Sequence, residues 1–323
     1  MSSGNRNTLS PLDFLSSLSP DTVMMLISTR RTQVLAWLLL VEMWMCGPAF
    51  GQAAEVDLTR QWELTDTLDR PESALYDASR NVVYVSSMGG SASEKDGNGY
   101  ISTVLPGGEV LQERWASGLN APKGMALSGD TLYTADIDAL VALDAQTGAV
   151  LERWPAEGAR FLNDVTADAT GRVYVSDSRT NALYRLSDGR FAVWKQNLPS
   201  PNGVYAEDGR LVVAAADAEA DDPGSARYLQ VIRLDENSTR AKPLADDTPL
   251  GGLDAVVPDG QGGYFLSDWA GATVLHFHPD HGLRTLGELT RGTADLDYAP
   301  SKYLLFVPVM MSNRLVGFEV EDL

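Results

Sequence analysis

The chain has 323 residues, with 25 Lys plus Arg against 44 Asp plus Glu and a formal net charge of −19. So acidic a surface repels phosphate backbones and excludes nucleic acid as a partner. The single cysteine, Cys46, falls in the first fifty residues, so the remainder has no thiol for a disulfide, a nucleophile or a thiolate metal site.

Arg30-Arg31, the apolar run VLAWLLLVEMWM and the small-residue segment GPAFGQA read as a secretion signal with a cut after Ala53. The run is too short for a spanning helix and carries Glu42, so no stable membrane insertion is expected after signal removal. Residues 1–23 lack signal character, and Met24 or Met25 makes a more natural start. Thr32-Gln33 after the arginine pair makes a weak match to the signal for export of folded proteins. The expectation is an exported protein, periplasmic or secreted, with residues 1–53 as extension and signal and residues 54–323 as one domain. Residues 1–53 hold three cations and three carboxylates, so all of the −19 falls on that domain.

From there the sequence repeats. Glu72 in PESALYD, Lys123 in PKGMALS, Asn163 in LNDVTAD, Asn202 in PNGVYAE, Asp254 in LDAVVPD and Asp295 in ADLDYAP follow one another at spacings of 51, 40, 39, 52 and 41. Trp62, Trp115, Trp154 and Trp194 precede the first four by 10, 8, 9 and 8 residues. Each copy carries short alternating runs rich in β-branched and aromatic residues, bounded by Gly, Asn and Asp, as in VTAD, RVYVSD and ALYRL of the third. A period of about 40 residues built of short strands predicts one four-stranded propeller blade per copy. The fold class is therefore all-β, a six-bladed β-propeller. The sixth copy supplies three strands, and VDLTRQWELT near residue 57 carries the pattern of an outer strand. That N-terminal strand is expected to complete the last blade and remove its open edge.

In a propeller the start of each blade's first strand and the end of its second meet at one mouth of the channel. The phased residues form the first set; Ser86, Asp136, Asp177, Asp268 and Met311 form the second. Two long polar loops, 89–99 and 216–227, open at the same mouth and should face each other across it. Of the phased set, Glu72, Asn163, Asn202 and Asp254 offer only oxygen, which suits calcium first, then magnesium or manganese. Asn and Asp also precede strands simply as turn formers, which is the plainer account of any one of them alone. His276, His278 and His281 lie in the outer hairpin LHFHPDHG of the fifth copy and read as a solvated strand end. EKDGNGYIS (94–102) mimics part of an EF-hand loop but puts Leu105 where the bidentate Glu belongs, and reads as a hairpin loop.

The repeats resemble the six-bladed propellers of the senescence-marker-protein/gluconolactonase/luciferin-regenerating-enzyme family. More distantly they are similar to the paraoxonase and diisopropyl-fluorophosphatase type. The resemblance spans residues 57–323 and is most specific at PESALYD, RFLNDVTADATGRVYVSD, PNGVYAEDGRLVVA and LDAVVPDGQGGYFLSDW. It implies one divalent cation held by Glu72, Asn163, Asn202 and Asp254, with zinc a further alternative to calcium, and an activity among lactone and ester hydrolases. Two departures stand out: Arg160 lies three residues before Asn163 where gluconolactonases place an arginine two before, and no histidine falls in the channel sets. The expected enzyme is a metal-dependent hydrolase of a small-molecule lactone or ester. Asp254 or Asp295 would be the base, and Lys123, Asp136, Asp177 and Asp268 would line the substrate pocket. The alternative is a metal-braced propeller that binds a small ligand or protein partner without turnover.

Overall fold

Short alternating runs between Gly, Asn and Asp turns fold as meanders, because each run buries one edge and pairs with its neighbour in sequence. A computed structural model describes residues 57–216, 227–234, 242–244 and 249–321. The signal-like segment, Cys46 and the boundary at residue 53 lie outside the described residues, as do 217–226 of the second long loop. Among the described residues no helix is long and apolar enough to cross a membrane.

The described strands form six four-stranded sheets. The first strand is β1 (Asp57–Thr65). Blade 1 is β2 (Pro71–Asp77), β3 (Val82–Ser87), β4 (Gly99–Val104) and β5 (Val110–Leu119). Blade 2 is β6 (Pro122–Ser128), β7 (Thr131–Asp136), β8 (Ala139–Asp144) and β9 (Val150–Pro155). Blade 3 is β10 (Leu162–Ala167), β11 (Val173–Asp177), β12 (Ala182–Ser187) and β13 (Arg190–Gln196). Blade 4 is β14 (Val204–Glu207), β15 (Arg210–Ala216), β16 (Arg227–Arg233) and β17 (Lys242–Pro243). Blade 5 is β18 (Leu253–Pro258), β19 (Tyr264–Asp268), β20 (Thr273–His278) and β21 (Gly282–Glu288). Blade 6 takes β22 (Asp297–Ala299), β23 (Leu304–Val309) and β24 (Arg314–Glu321) from the C-terminal side, and β1 as its outer strand. The expected closure is present: β1 runs antiparallel to β24, from Asp57 opposite Glu321 to Thr65 opposite Arg314.

The phased tryptophans have a physical cause. Each sits on a blade's outer strand and packs on an aromatic of the second strand of the same blade. The pairs are Trp115–Tyr84 at 5.0 Å, Trp154–Tyr133 at 6.3 Å, Trp194–Tyr174 at 5.1 Å and, in blade 6, Trp62–Phe306 at 6.1 Å between ring centroids. The core follows the same plan, with one buried apolar cluster between each pair of adjacent blades. Trp62 also donates its indole N–H to Pro106 O at 2.9 Å, tying the closing strand to blade 1. Trp62→Ala should therefore destabilise the ring by roughly 3 kcal/mol, as large-to-small aromatic changes do. Thermal melting checks this, and a loss under about 1 kcal/mol would show that closure does not lean on the ring contact.

Candidate active site

The channel residues stand where first strands leave regular pairing. Antiparallel register shifts between Pro71 and Ser73, Pro122 and Met125, Leu162 and Val165, and Leu253 and Val256. Bulges of this kind turn a side chain off the sheet face, and those turned here are Glu72, Lys123, Asn163 and Asp254. In blade 4, Asn202 and Gly203 precede β14 altogether. Serine hydroxyls of the second strands make good the lost ladder bonds: Ser86, Ser176 and Ser267 accept the N–H of Ser73, Asp164 and Ala255 at 3.0, 3.0 and 2.9 Å. Ser86 thus lies beneath the rim position expected for it. Neighbouring first strands come so close that a Cβ at Gly203 would meet Asp254 O at 2.4 Å, and one at Gly124 would meet Asp164 Oδ1 at 2.4 Å.

Glu72, Lys123, Asn163, Asn202 and Asp254 line one cavity of about 540 Å³. All five are buried, Lys123 with 1% of its surface exposed. Asn202 donates from Nδ2 to Leu253 O at 3.3 Å and makes a short contact with Asp254 Oδ1, while Asn163 Nδ2 donates to Ser178 Oγ at 3.2 Å. With both NH2 ends engaged, the amide oxygens remain as lone-pair donors. Glu72 Oε2 is buried with no hydrogen-bond partner. Burial pushes the Glu72 carboxyl well above the usual range and repulsion from Asp254 adds to this, against the pull of Lys123. Asp254 is pushed up to about 6, chiefly by burial. Burial also lowers the Lys123 ammonium, against the attraction of Glu72. Its Nζ donates to Ala121 O at 3.0 Å and stands 4.5 Å from the centre of the Phe161 ring.

Asp295 is not in this ring. Its backbone forms a parallel bridge with Ser73, and its carboxylate accepts the Ser73 hydroxyl at 2.6 Å. Blade 6 repeats the register of blade 3. The Thr166 hydroxyl accepts the N–H of Ala206 at 3.0 Å, and Asp297 accepts that of Tyr76 at 2.7 Å, so Asp297 matches Thr166 and Asp295 matches Asp164. The ring position of blade 6 is Ala294, buried with Met88, Ala121, Ile137 and Met310 in an apolar cluster at the mouth. Asp295 and Asp164 instead line a second cavity of about 360 Å³. Asp164, adjacent to Asn163, was not foreseen as a channel group. It accepts the N–H of Val204 at 2.6 Å and is pushed up to about 8 by burial. Asp295 is pushed well up by burial and then by Asp164.

Asp136, Asp177 and Asp268, expected to line the substrate pocket, are not among the residues that line the mouth cavity. Their carboxylates hold loops. Asp136 accepts the N–H groups of Asn120 and Ala121 at 3.0 and 2.8 Å, and Arg153 bridges to it at 3.3 Å. Asp177 accepts from Arg160 and Phe161 at 2.7 and 3.3 Å, and from Arg179 and Thr180 at 3.0 Å each. Asp268 accepts from Gly271 at 2.7 Å and packs so tightly on Gly251 that a Cβ there would meet Oδ2 at 2.2 Å. These clamps fix the loops just before Lys123, Asn163 and Asp254. The cavity walls include groups that the repeat did not single out: Arg70, Phe161, Arg227, Trp269 and Arg291. Trp269 had one signal, as the tryptophan after residue 53 that breaks the phase of the other four.

The histidines are elsewhere. His276 is buried with Nε2 2.8 Å from Asp259 Oδ2, so it is not the solvated group expected, and His278 stacks on His281 at 4.6 Å. The EF-hand mimic leads straight into β4, and the one helical element among the described residues is the 3-10 turn Met310–Ser312. In the same loop Lys95 reaches Asp138 of blade 2 at 2.5 Å.

Fold and site define a six-bladed propeller with a polar, mostly oxygen-bearing ring at one mouth of its channel. A scan of family models and a search of curated proteins find no match. Solved structures do match. A gluconolactonase from Xanthomonas campestris is 17% identical with a TM-score of 0.60, over 83% of this chain and 96% of its own. A protein described provisionally as a gluconolactonase is 16% identical with a TM-score of 0.60, over 85% and 97%. Virginiamycin B lyase from Staphylococcus aureus is 10% identical with a TM-score of 0.56, over 82% and 99%. At these identities the likeness is one of fold, and gluconolactonases are among the neighbours that share it.

Proposed function

We propose that this chain is a divalent-metal-dependent hydrolase of a lactone or related ester, with its active site at the mouth lined by Glu72, Asn163, Asn202 and Asp254. The observation that carries this reading is the buried, unpartnered Glu72 Oε2 in one cavity with Asp254 and two carboxamides. A buried carboxylate oxygen with no donor costs free energy that a cation would repay. Among the described residues no cluster of three or more His, Cys, Asp or Glu is set to hold a metal; two carboxylates and two amides are a different donor set, all oxygen. It fits calcium best, magnesium or manganese next, and argues against zinc, which favours nitrogen and sulfur. A cation bound there would polarise the scissile carbonyl and stabilise charge developing on its oxygen.

The chain's own groups supply the rest. Water adds to the carbonyl carbon and gives its proton to Asp254, the channel carboxylate that lines the same cavity. The carbon–oxygen bond of the ring or ester then breaks, and the leaving alkoxide recovers that proton, releasing a hydroxy acid or an acid and an alcohol. Lys123 uses one of three donors on Ala121 O and can orient the carbonyl with another. Met88, Phe161, Trp269 and Met310 give the cavity an apolar side that keeps bulk water from the reacting face.

Chelation followed by add-back tests the reading. Hydrolysis of a panel of lactones, followed by proton release, should fall at least about a hundredfold in chelator and return with calcium. Activity indifferent to chelator would remove the metal from the mechanism. Lys123 motivates the second reading, a propeller that binds without turnover, because its ammonium competes with a cation for Glu72. If calcium raises the melting temperature yet no lactone or ester is turned over, that reading is the better one.

A further inference from the structure

The cavity inverts the charge balance of the chain. Acidic groups outnumber basic ones 44 to 25 overall, yet the mouth is lined by Arg70, Lys123, Arg227 and Arg291 against Glu72 and Asp254. Lys123 lies within electrostatic reach of Glu72, and Arg227 of Asp254. Arg70 and Arg291 remain. Neither side chain forms an ion pair or hydrogen bond with a described residue; Arg291 lies 4.8 Å over the Trp269 ring.

Arg70 is anchored through its own backbone and Arg291 through that of the next residue, in the connections on either side of blade 6. Arg70 N–H donates to Asn313 Oδ1 at 3.0 Å and its carbonyl accepts Met88 N–H at 3.2 Å. Next to Arg291, Gly292 N–H donates to Trp269 O at 2.9 Å and its carbonyl accepts Met310 N–H at 2.8 Å. Two guanidiniums that line one cavity, Arg70 half-buried and Arg291 exposed at its edge, with spare donors and no carboxylate partner among the described residues, match a planar oxyanion.

We propose that the ligand of this cavity carries a carboxylate of its own, bound by Arg70 and Arg291, so that on the hydrolase reading above the substrate is an acidic lactone or ester rather than a neutral one. The identity of the substrate rests on that reading; the preference for a carboxylate does not. A divalent cation at Glu72 and Asp254 would make the mouth more positive still, which strengthens the preference without creating it.

The test compares D-glucaro-1,4-lactone, which bears a carboxylate, with neutral D-glucono-1,4-lactone at fixed ionic strength and buffered free calcium. The kcat/KM ratio should favour the charged lactone by about tenfold or more, as charge-assisted pairs do. It should fall toward unity in Arg70→Gln/Arg291→Gln and persist in Arg70→Lys/Arg291→Lys, with cooperative melting as the check that both variants fold. If neither lactone is hydrolysed, the hydrolase reading fails by itself. Calorimetry with D-glucarate against neutral D-glucitol then decides the anion site, expecting binding of the former, lost in the glutamine variant. No preference for the charged ligand in either assay, or a preference that survives in the glutamine variant, overturns the proposal.

Discussion

Asp254→Asn is expected to lower kcat/KM for lactone hydrolysis by about a thousandfold or more and to abolish stabilisation by calcium. One oxygen of Asp254 already contacts the Asn202 amide, and the residue lies in the same cavity as Glu72 and Asn163. An amide of the same shape keeps the packing but loses the negative charge and the ability to take a proton. In the parent, calcium at a hundred times its dissociation constant should add about 2.7 kcal/mol to unfolding, read as a rise in melting temperature. The variant should melt at the same temperature with and without calcium. Hydrolysis within tenfold of the parent would show that Asp254 is neither the base nor essential to the ligand set.

The second large effect is on stability against pH in the presence of chelator. Burial pushes Asp164 up to about 8 and Asp297 up to about 7 from 3.8, and raises Glu72 and Asp295 as well. Between about pH 4 and 8 the folded chain therefore holds protons that the unfolded chain has released, and stability falls as pH rises through that window. At 1.36 kcal/mol per pKa unit, Asp297 alone contributes on the order of a few kcal/mol. The turn carboxylates Asp77, Asp168 and Asp259 are shifted the other way, held down by hydrogen bonds from Ser79 and Arg80, from Thr170 and Arg172, and from His276, despite the opposing cost of burial. Their contribution is lost only as pH falls below about 4, outside that window. Calcium-free protein should thus melt higher at pH 5.5 than at pH 8, and calcium should raise the melting temperature more at pH 8. Equal melting temperatures at the two pH values in chelator would mean that the channel carboxylates are hydrated rather than buried.

Much of this arrangement was legible because propeller blades repeat a small number of physical devices. The tryptophan phase reports the stacking of outer strand on second strand, and it carried the closing strand to blade 6 although Trp62 lies over 200 residues from Phe306. Five of the six phased residues do reach the mouth. Asp295 misled because the polar pair Asn163-Asp164 offers two registers to an isolated Asp, and polarity alone cannot choose between them. The apolar alternation could have chosen, since Leu296 answers to Val165 and sets Ala294 against Asn163. The strand-end aspartates Asp136, Asp177 and Asp268 use their carboxylates on loop N–H groups, which a sequence does not display. Arg70 and Arg291 gave no warning, because each sits in a connection whose course depends on the blades around it, and Arg227 opens β16 after the second long loop.

The pairing of β1 with β24 sets a constraint on assembly. Asp57 must find Glu321 across nearly the whole length of the domain, the most distant pairing in sequence among the described residues. Such contacts lose most chain entropy on closing and tend to form late. Five blades can assemble by local hairpins as they appear, but the sixth has to wait for a strand made long before its partners. That clasp is also what brings blade 6 against blade 1, through the apolar cluster that Trp62 packs on.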